Sequence, residues 1–203
     1  MRQSLYILIF FAAGVILGMT GLLPEPITRT DYTKYALYLL MLLVGISIGA
    51  DNKAFLVLKS YGMRLFLVPL VTITGTFAGV IPVSLLLEHI SIREGLAVGA
   101  GFGYYSLSSI IITELHSEVL GVVALLSNVI REILTLILAP LMAMVFGKLA
   151  PVAAGGATSM DTTLPVIARA SGKQFAIIAL FHGIVLTILV PVLVTFILTA
   201  FGS

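Results

Sequence analysis

Asn128, Arg131 and Glu132 place an amide, a guanidinium and a carboxylate close together on one predicted helix, and Asp161 adds a second acid further along the chain. Charged groups of both signs inside a predicted membrane span point to a functional site. All of it lies where charge is costly. The stretch from Glu118 to Lys148 is otherwise mostly Leu, Ile, Val, Ala and Met, is long enough to span a bilayer, and has Glu132 near its midpoint. On a helical wheel the three residues fall within an arc of about 100°, so one face can present them all to a bundle interior. Arg131 and Glu132 are sequence neighbours and poorly placed to pair, so each is expected to reach another helix, with Asp161 the expected partner of Arg131. The bland alternative is a buried ion pair that locks two helices together. Such pairs are commonly neutral or costly for stability, so function accounts better for the expense.

Two segments that must position these groups are poor helices. Gly99-Ala100-Gly101-Phe102-Gly103-Tyr104-Tyr105-Ser106-Leu107-Ser108-Ser109 crowds three Gly and three Ser into the start of an apolar span. Gly155-Gly156-Ala157-Thr158-Ser159-Met160-Asp161-Thr162-Thr163-Leu164-Pro165 does so more strongly, with an acid near its centre and a proline that removes a helical donor. Irregular backbone at membrane depth must be shielded by protein or water, so both segments, 95–114 and 151–168, read as broken or re-entrant helices. Such breaks expose N–H groups that attract a carboxylate and C=O groups that attract cations. With them come the hydroxyls Ser106, Ser108, Thr158 and Ser159, which complete the expected substrate-binding set of Asn128, Arg131, Glu132 and Asp161. For glycine the plain reading is close helix packing, and for the hydroxyls a bond back to their own helix.

Composition gives the frame. Of 203 residues 60% are hydrophobic and 10% charged, far from the quarter expected of a soluble domain. The fold class implied is an all-α polytopic membrane protein with a transporter-like bundle of about six or seven segments in one integral membrane domain, residues 1–203. The segments run Ser4 to Leu23, Tyr35 to Ala50, Arg64 to Leu87, Gly95 to Thr113, Val119 to Gly147, Pro151 to Ala168 and Gln174 to Phe201. The first is expected to be retained, because Pro24-Glu25-Pro26 offers no small-residue cleavage site. If all seven cross, six Lys and Arg against four favour an N-terminus inside and a C-terminus outside; one re-entrant segment would reverse everything after it. The net charge of +2 is scattered over short loops, so no nucleic-acid partner is implied. With no cysteine there is no disulfide and no Cys-based metal site.

Other polar residues carry weaker chemical signals. Glu114, His116 and Glu118 alternate as E-x-H-x-E, which an exposed loop explains better than a metal site. His182 could relay protons or make an interhelical hydrogen bond. Neither G-x-S-x-G nor H-E-x-x-H occurs, and no spacing supports a Ser159, His182 and Asp161 triad. Neither an enzyme nor a cofactor is expected.

Four motifs in order carry a family resemblance: Gly101-Phe102-Gly103-Tyr104-Tyr105-Ser106-Leu107-Ser108 ending in Thr113-Glu114; Arg131-Glu132 after a polar pair; Gly156-Ala157-Thr158-Ser159-Met160-Asp161 with Thr163-Leu164-Pro165; and His182-Gly183 with Val190-Pro191. From about Tyr35 to its end the chain resembles the LysO family of prokaryotic lysine exporters. The resemblance implies export of L-lysine, and of thialysine, across the cytoplasmic membrane, with Glu132 and Asp161 as the central acids. Single-chain members are about half as long again, so this chain is expected to draw further N-terminal helices from a small membrane partner or from a homo-oligomer. Members also show an Asn-Asp pair where this chain has Ser127-Asn128, one acid fewer. Expelling a cation against an inside-negative potential costs about 2.3 kcal/mol per charge per 100 mV, so a coupled proton or sodium ion is expected, with Glu132 and Asp161 alternating between substrate and proton. The closest alternatives are an ion-coupled transporter of another small organic solute and an accessory subunit of a two-chain transporter.

Overall fold

The computed structural model describes residues 62–200, together with Ala13, Ile16, Leu17, Met19, Thr20, Tyr35, Leu39, Leu42 and Ile46 before them. The expected segments Ser4 to Leu23 and Tyr35 to Ala50 lie outside the described residues except at those isolated positions. Two compact units are distinguished, Met1–Leu42 and Leu43–Ser203. Residues 62–200 belong to the second.

The described residues form seven α-helices and two short 3-10 turns, with no strand among them. These are α1 (Leu67–Leu86), α2 (Ile92–Gly99), α3 (Tyr105–Leu115), α4 (Glu118–Val145), α5 (Ala150–Gly155), α6 (Leu164–Ser171) and α7 (Lys173–Ala200), with 3-10 turns at Met63–Phe66 and Gly156–Met160. Helices α1, α4 and α7 are long and apolar enough to cross a membrane. At 1.5 Å per residue α4 and α7 reach about 42 Å, longer than a hydrocarbon core of about 30 Å. The two expected breaks are present. The glycines of 99–103 separate α2 from α3, and the turn at Gly156–Met160 separates α5 from α6.

Each broken segment leaves by the face it entered. His116, just after α3, lies 2.7 Å from Glu94 in the first turn of α2. Lys148, just before α5, donates to the carbonyl of Ala170 near the end of α6 at 3.1 Å. Either pair is 22 residues apart in sequence. Continuous helix would separate them by about 33 Å, beyond any side chain. Both segments are therefore re-entrant hairpins, and a count in which all seven segments cross is corrected. A third contact fixes the relation of the faces: Arg93, at the start of α2, donates to the carbonyl of Leu198 at the end of α7. Helices α4 and α7 each run from one face to the other, so the hairpins enter from opposite sides.

Their tips meet. The amide of Ala157 donates to the carbonyl of Phe102 at 2.8 Å, joining one hairpin to the other through backbone alone. Phe102 has φ of 43°, the one positive value at a non-glycine among the described residues, and its fully buried ring packs against Phe77 of α1. Gly156 has φ of 60°, and a Cβ there would collide with the Phe102 carbonyl. Below the second tip, α7 approaches so closely at Gly183 that a Cβ would stand 2.6 Å from that of Met160. These contacts need glycine for conformation at the first position and for space at the second.

The mouth of the first hairpin carries a charge-dependent brace. Ser91 caps α2 by accepting from the Glu94 amide, and the Glu94 carboxylate accepts from the Ser91 hydroxyl and amide in return. The Ser91 hydroxyl first, then its amide and the nearby His116, hold the Glu94 carboxyl below its ordinary value of 4.5. A group depressed in the folded state stabilises above its unfolded pKa and loses that contribution as pH falls through the folded value. The thermal midpoint of Glu94→Gln should therefore fall below that of the parent at neutral pH, and the gap should close as the solution is acidified through the lowered folded-state value of Glu94.

Candidate functional site

The meeting point of the tips lies near mid-membrane, because α2 is only 8 residues and about 12 Å deep. Three side chains hold it, those of Asn128 and His182 buried and that of Arg131 half-buried. Asn128 of α4 accepts from the Gly103 amide at 2.7 Å and donates to the carbonyls of Val98 at 3.2 Å and Ala124 at 2.9 Å. Its amide group is thus fully occupied in stitching the first break to α4. Arg131, one turn on, does the equivalent for the second hairpin. Its Nε donates to the Ala154 carbonyl and its Nη2 to the Ala153 carbonyl, both at 2.9 Å. These are orphan carbonyls at the C-terminal end of α5, where a cation is favoured. The expected Arg131 to Asp161 pairing is not formed. Arg131 is directed to α5, and Asp161 accepts from its own neighbour, the Thr162 amide and hydroxyl.

His182 completes the scaffold. Buried entirely within α7, it reaches Ser159 Oγ with Nδ1 at 3.1 Å and Thr72 Oγ1 of α1 with Nε2 at 2.9 Å. Ser159 Oγ also lies 2.7 Å from the Gly156 carbonyl and 2.8 Å from that of Ala179. A hydroxyl has one proton, and Ser159 and Thr72 each have a carbonyl to receive it, for Thr72 that of Val68 at 3.0 Å, so either hydroxyl can accept from whichever ring nitrogen carries the proton. The histidine makes the interhelical bond weighed for it, tying the second tip to α1 through α7.

The remaining predicted residues divide by surroundings. Ser108 is buried and bonds back to the Tyr104 carbonyl at 2.9 Å, whereas Ser106 is exposed. Thr158 bonds back to the Gly155 carbonyl at 2.8 Å, yet it also lines a small cavity of about 70 Å³ with Tyr104, Met160, Asp161 and Thr187. That cavity brings the acid of one hairpin beside the tyrosine of the other. Asp161 is itself exposed. Glu132 is half-buried and forms no hydrogen bond among the described residues. No hydrogen bond joins it to Asp161, and Glu132 does not line the Asp161 cavity. A second cavity, about 270 Å³, lies between α1, α2 and α4 and ends on Asn128 and Arg131.

Tyr104, Thr72 and Thr187 were not singled out from the sequence. Tyr104 directly follows Gly103 and could have been found as part of the break, whereas nothing local distinguishes Thr72 or Thr187 from other membrane threonines that bond back to their own helix. His116 is engaged with Glu94 across the hairpin mouth.

Removing the Asn128 side chain would leave the Gly103 amide unsatisfied in a buried site. Asn128→Ala is expected to destabilise the detergent-purified protein by about 1–3 kcal/mol. Asn128→Asp keeps the acceptor but turns an oxygen toward two carbonyls, and should be no more stable than the alanine variant in thermal unfolding.

The family described as "Lysine exporter LysO" matches residues 8–198. The chain is 35% identical over 187 residues to "Lysine exporter LysO" of Escherichia coli (strain K12), covering 90% of this chain and 60% of that protein. It is 34% identical over 165 residues to a "Putative lysine exporter" of Haemophilus influenzae, covering 80% of this chain and 82% of that protein. No solved structure matches. Both relatives are named for lysine export, the second as putative, and the apolar helices are those of a multi-pass protein of the cytoplasmic membrane. By its helical architecture, its sequence and the extent of the match, the chain belongs to the LysO family of lysine exporters.

Proposed function

We propose that this chain carries L-lysine, and the analogue thialysine, out across the cytoplasmic membrane by antiport with a proton or sodium ion. The observation that carries this reading is the meeting of two unwound hairpin tips near mid-membrane, with Asp161 exposed beside it at a small cavity. Discontinuous backbone at that depth is the arrangement in which transporters hold charged solutes and coupling ions. Lysine brings one carboxylate and two ammonium groups. Asp161, with Tyr104 and Thr158 about it, is assigned one ammonium group, and Glu132 the second cationic role or the coupled ion. Ser108 and Ser159 support the tips that shape the site, and the exposed Ser106 hydroxyl is assigned to the substrate. Outward movement of a cation is uphill against the membrane potential, which is the reason for a coupled ion.

The direction of the chain in the membrane follows from its cations. With both hairpins re-entrant, Arg64, Lys148, Arg169 and Lys173 share one face, while Arg93 is on the other with Glu88, Glu94, Glu114 and Glu118. The cation-rich face is cytoplasmic by the positive-inside rule, and α7 ends outside. The chain has no cysteine, so single replacements report sidedness directly. A thiol at His89 should react with an impermeant reagent from outside the cell, and one at Lys173 from the cytoplasmic side only. The reverse pattern would overturn this orientation.

Transport itself is tested by counterflow of labelled lysine in proteoliposomes holding this chain, with and without a pH or sodium gradient. Saturable counterflow is expected, with either gradient altering its rate. Losing a charge-assisted bond to substrate should slow Glu132→Gln and Asp161→Asn by about tenfold or more. Normal flux in both variants would sink the assignment of the acids. Counterflow that appears only when a second membrane protein is added would favour the accessory-subunit reading.

A further inference from the structure

The cavity of about 270 Å³ between α1, α2 and α4 is unused by the reading above. It runs from Leu87 and Ile90, at the turn between α1 and α2, down to Gly99, Asn128 and Arg131 at the first hairpin tip. Its size approaches the low end of small-molecule sites. We propose that this cavity is the outward-facing half of the transport route and that Arg131, at its inner end, takes the α-carboxylate of an amino acid on its way out. The proposal rests on the transporter reading and on the orientation derived from the cations.

Three features support it. The first is position, since the cavity joins the face bearing Glu88 and Glu94 to the mid-membrane crossing, the outer half of a path whose inner half must pass the second tip. The second is the state of Arg131. Two of its three guanidinium nitrogens are bonded to the carbonyls of Ala153 and Ala154, while Nη1 makes no hydrogen bond among the described residues. The described residues supply it with no carboxylate, because Asp161 is turned to Thr162 and neither Asp161 nor Glu132 lines the cavity. A guanidinium held at that depth without an anion is costly, and an arriving carboxylate would relieve it while gaining charge-assisted donors. The third is the wall. Val80, Val83, Val98 and Val123 suit a methylene stem, and the exposed Ser127 hydroxyl stands beside the charged end.

A carboxylate on a methylene chain is also the chemistry of a fatty acid, so the experiment separates the two. Ser127→Cys is reconstituted in sided vesicles and labelled with a membrane-impermeant thiol reagent. The proposal expects reaction from the outer face only, slowed about tenfold by saturating lysine, unaffected by cadaverine, which lacks the carboxylate, and unaffected by a medium-chain fatty acid. In the Arg131→Lys background, the lysine concentration giving half protection should rise about tenfold, because the planar two-pronged guanidinium is replaced by a single ammonium. Labelling from the cytoplasmic face, equal protection by cadaverine, or protection by the fatty acid alone would each overturn it. Counterflow of lysine by the parent chain is measured alongside. If counterflow persists without protection at Ser127, this inference fails alone; if counterflow is absent, the transporter reading fails first.

Discussion

A single backbone hydrogen bond, from the Ala157 amide to the Phe102 carbonyl, is the contact on which the architecture turns. In hydrocarbon an irregular segment cannot leave its polar backbone groups to water, so two unwound tips survive there only by satisfying one another and being walled by helices. That requirement explains why each break is rich in glycine, why Phe102 tolerates a left-handed conformation, and why α7 has a glycine where the second tip rests on it. Loosening either tip would expose the other.

The same requirement governs the polar side chains. Asn128, Arg131 and His182 are the residues that chemistry alone would nominate first, and each is engaged with backbone or with a hydroxyl of the opposite element. Asn128 holds the first tip, Arg131 the end of α5, and His182 the second tip against α1. Asp161 is left exposed at the crossing, and Glu132 half-buried without a partner among the described residues. Support is carried by the Asn128 amide, the His182 ring and two nitrogens of the Arg131 guanidinium, while the two acids take no part in it. Rigid support with free first-contact groups is what a binding site at low dielectric requires.

Hairpins that enter from opposite faces also give the protein two thin barriers in place of one thick one. Each tip covers about half the membrane depth, so access to the crossing from either side is controlled by one hairpin and the long helices beside it. Among the described residues the arrangement places Arg64, Lys148, Arg169 and Lys173 at one face and Arg93 at the other, the asymmetry on which the proposed orientation rests.

Much of this was legible in the residues themselves. Apolar runs located α1, α4 and α7 to within a few residues, and glycine and proline located both breaks, because hydrophobic length and backbone permissiveness are local properties. The intramembrane acids and Arg131 stood out for the same reason: their cost depends on depth, and depth follows from position along a helix. What only the tertiary structure decided was which groups meet. The return of each segment to its own face rests on contacts 22 residues apart, the joining of the tips on a bond between separate hairpins, and the partners of Arg131 and His182 on elements that periodicity cannot orient. Sequence determined where the chain could break and where charge was dear; packing alone decided that Arg131 would serve a helix end and leave Asp161 open at the crossing, because pairing depends on distances that no local pattern encodes.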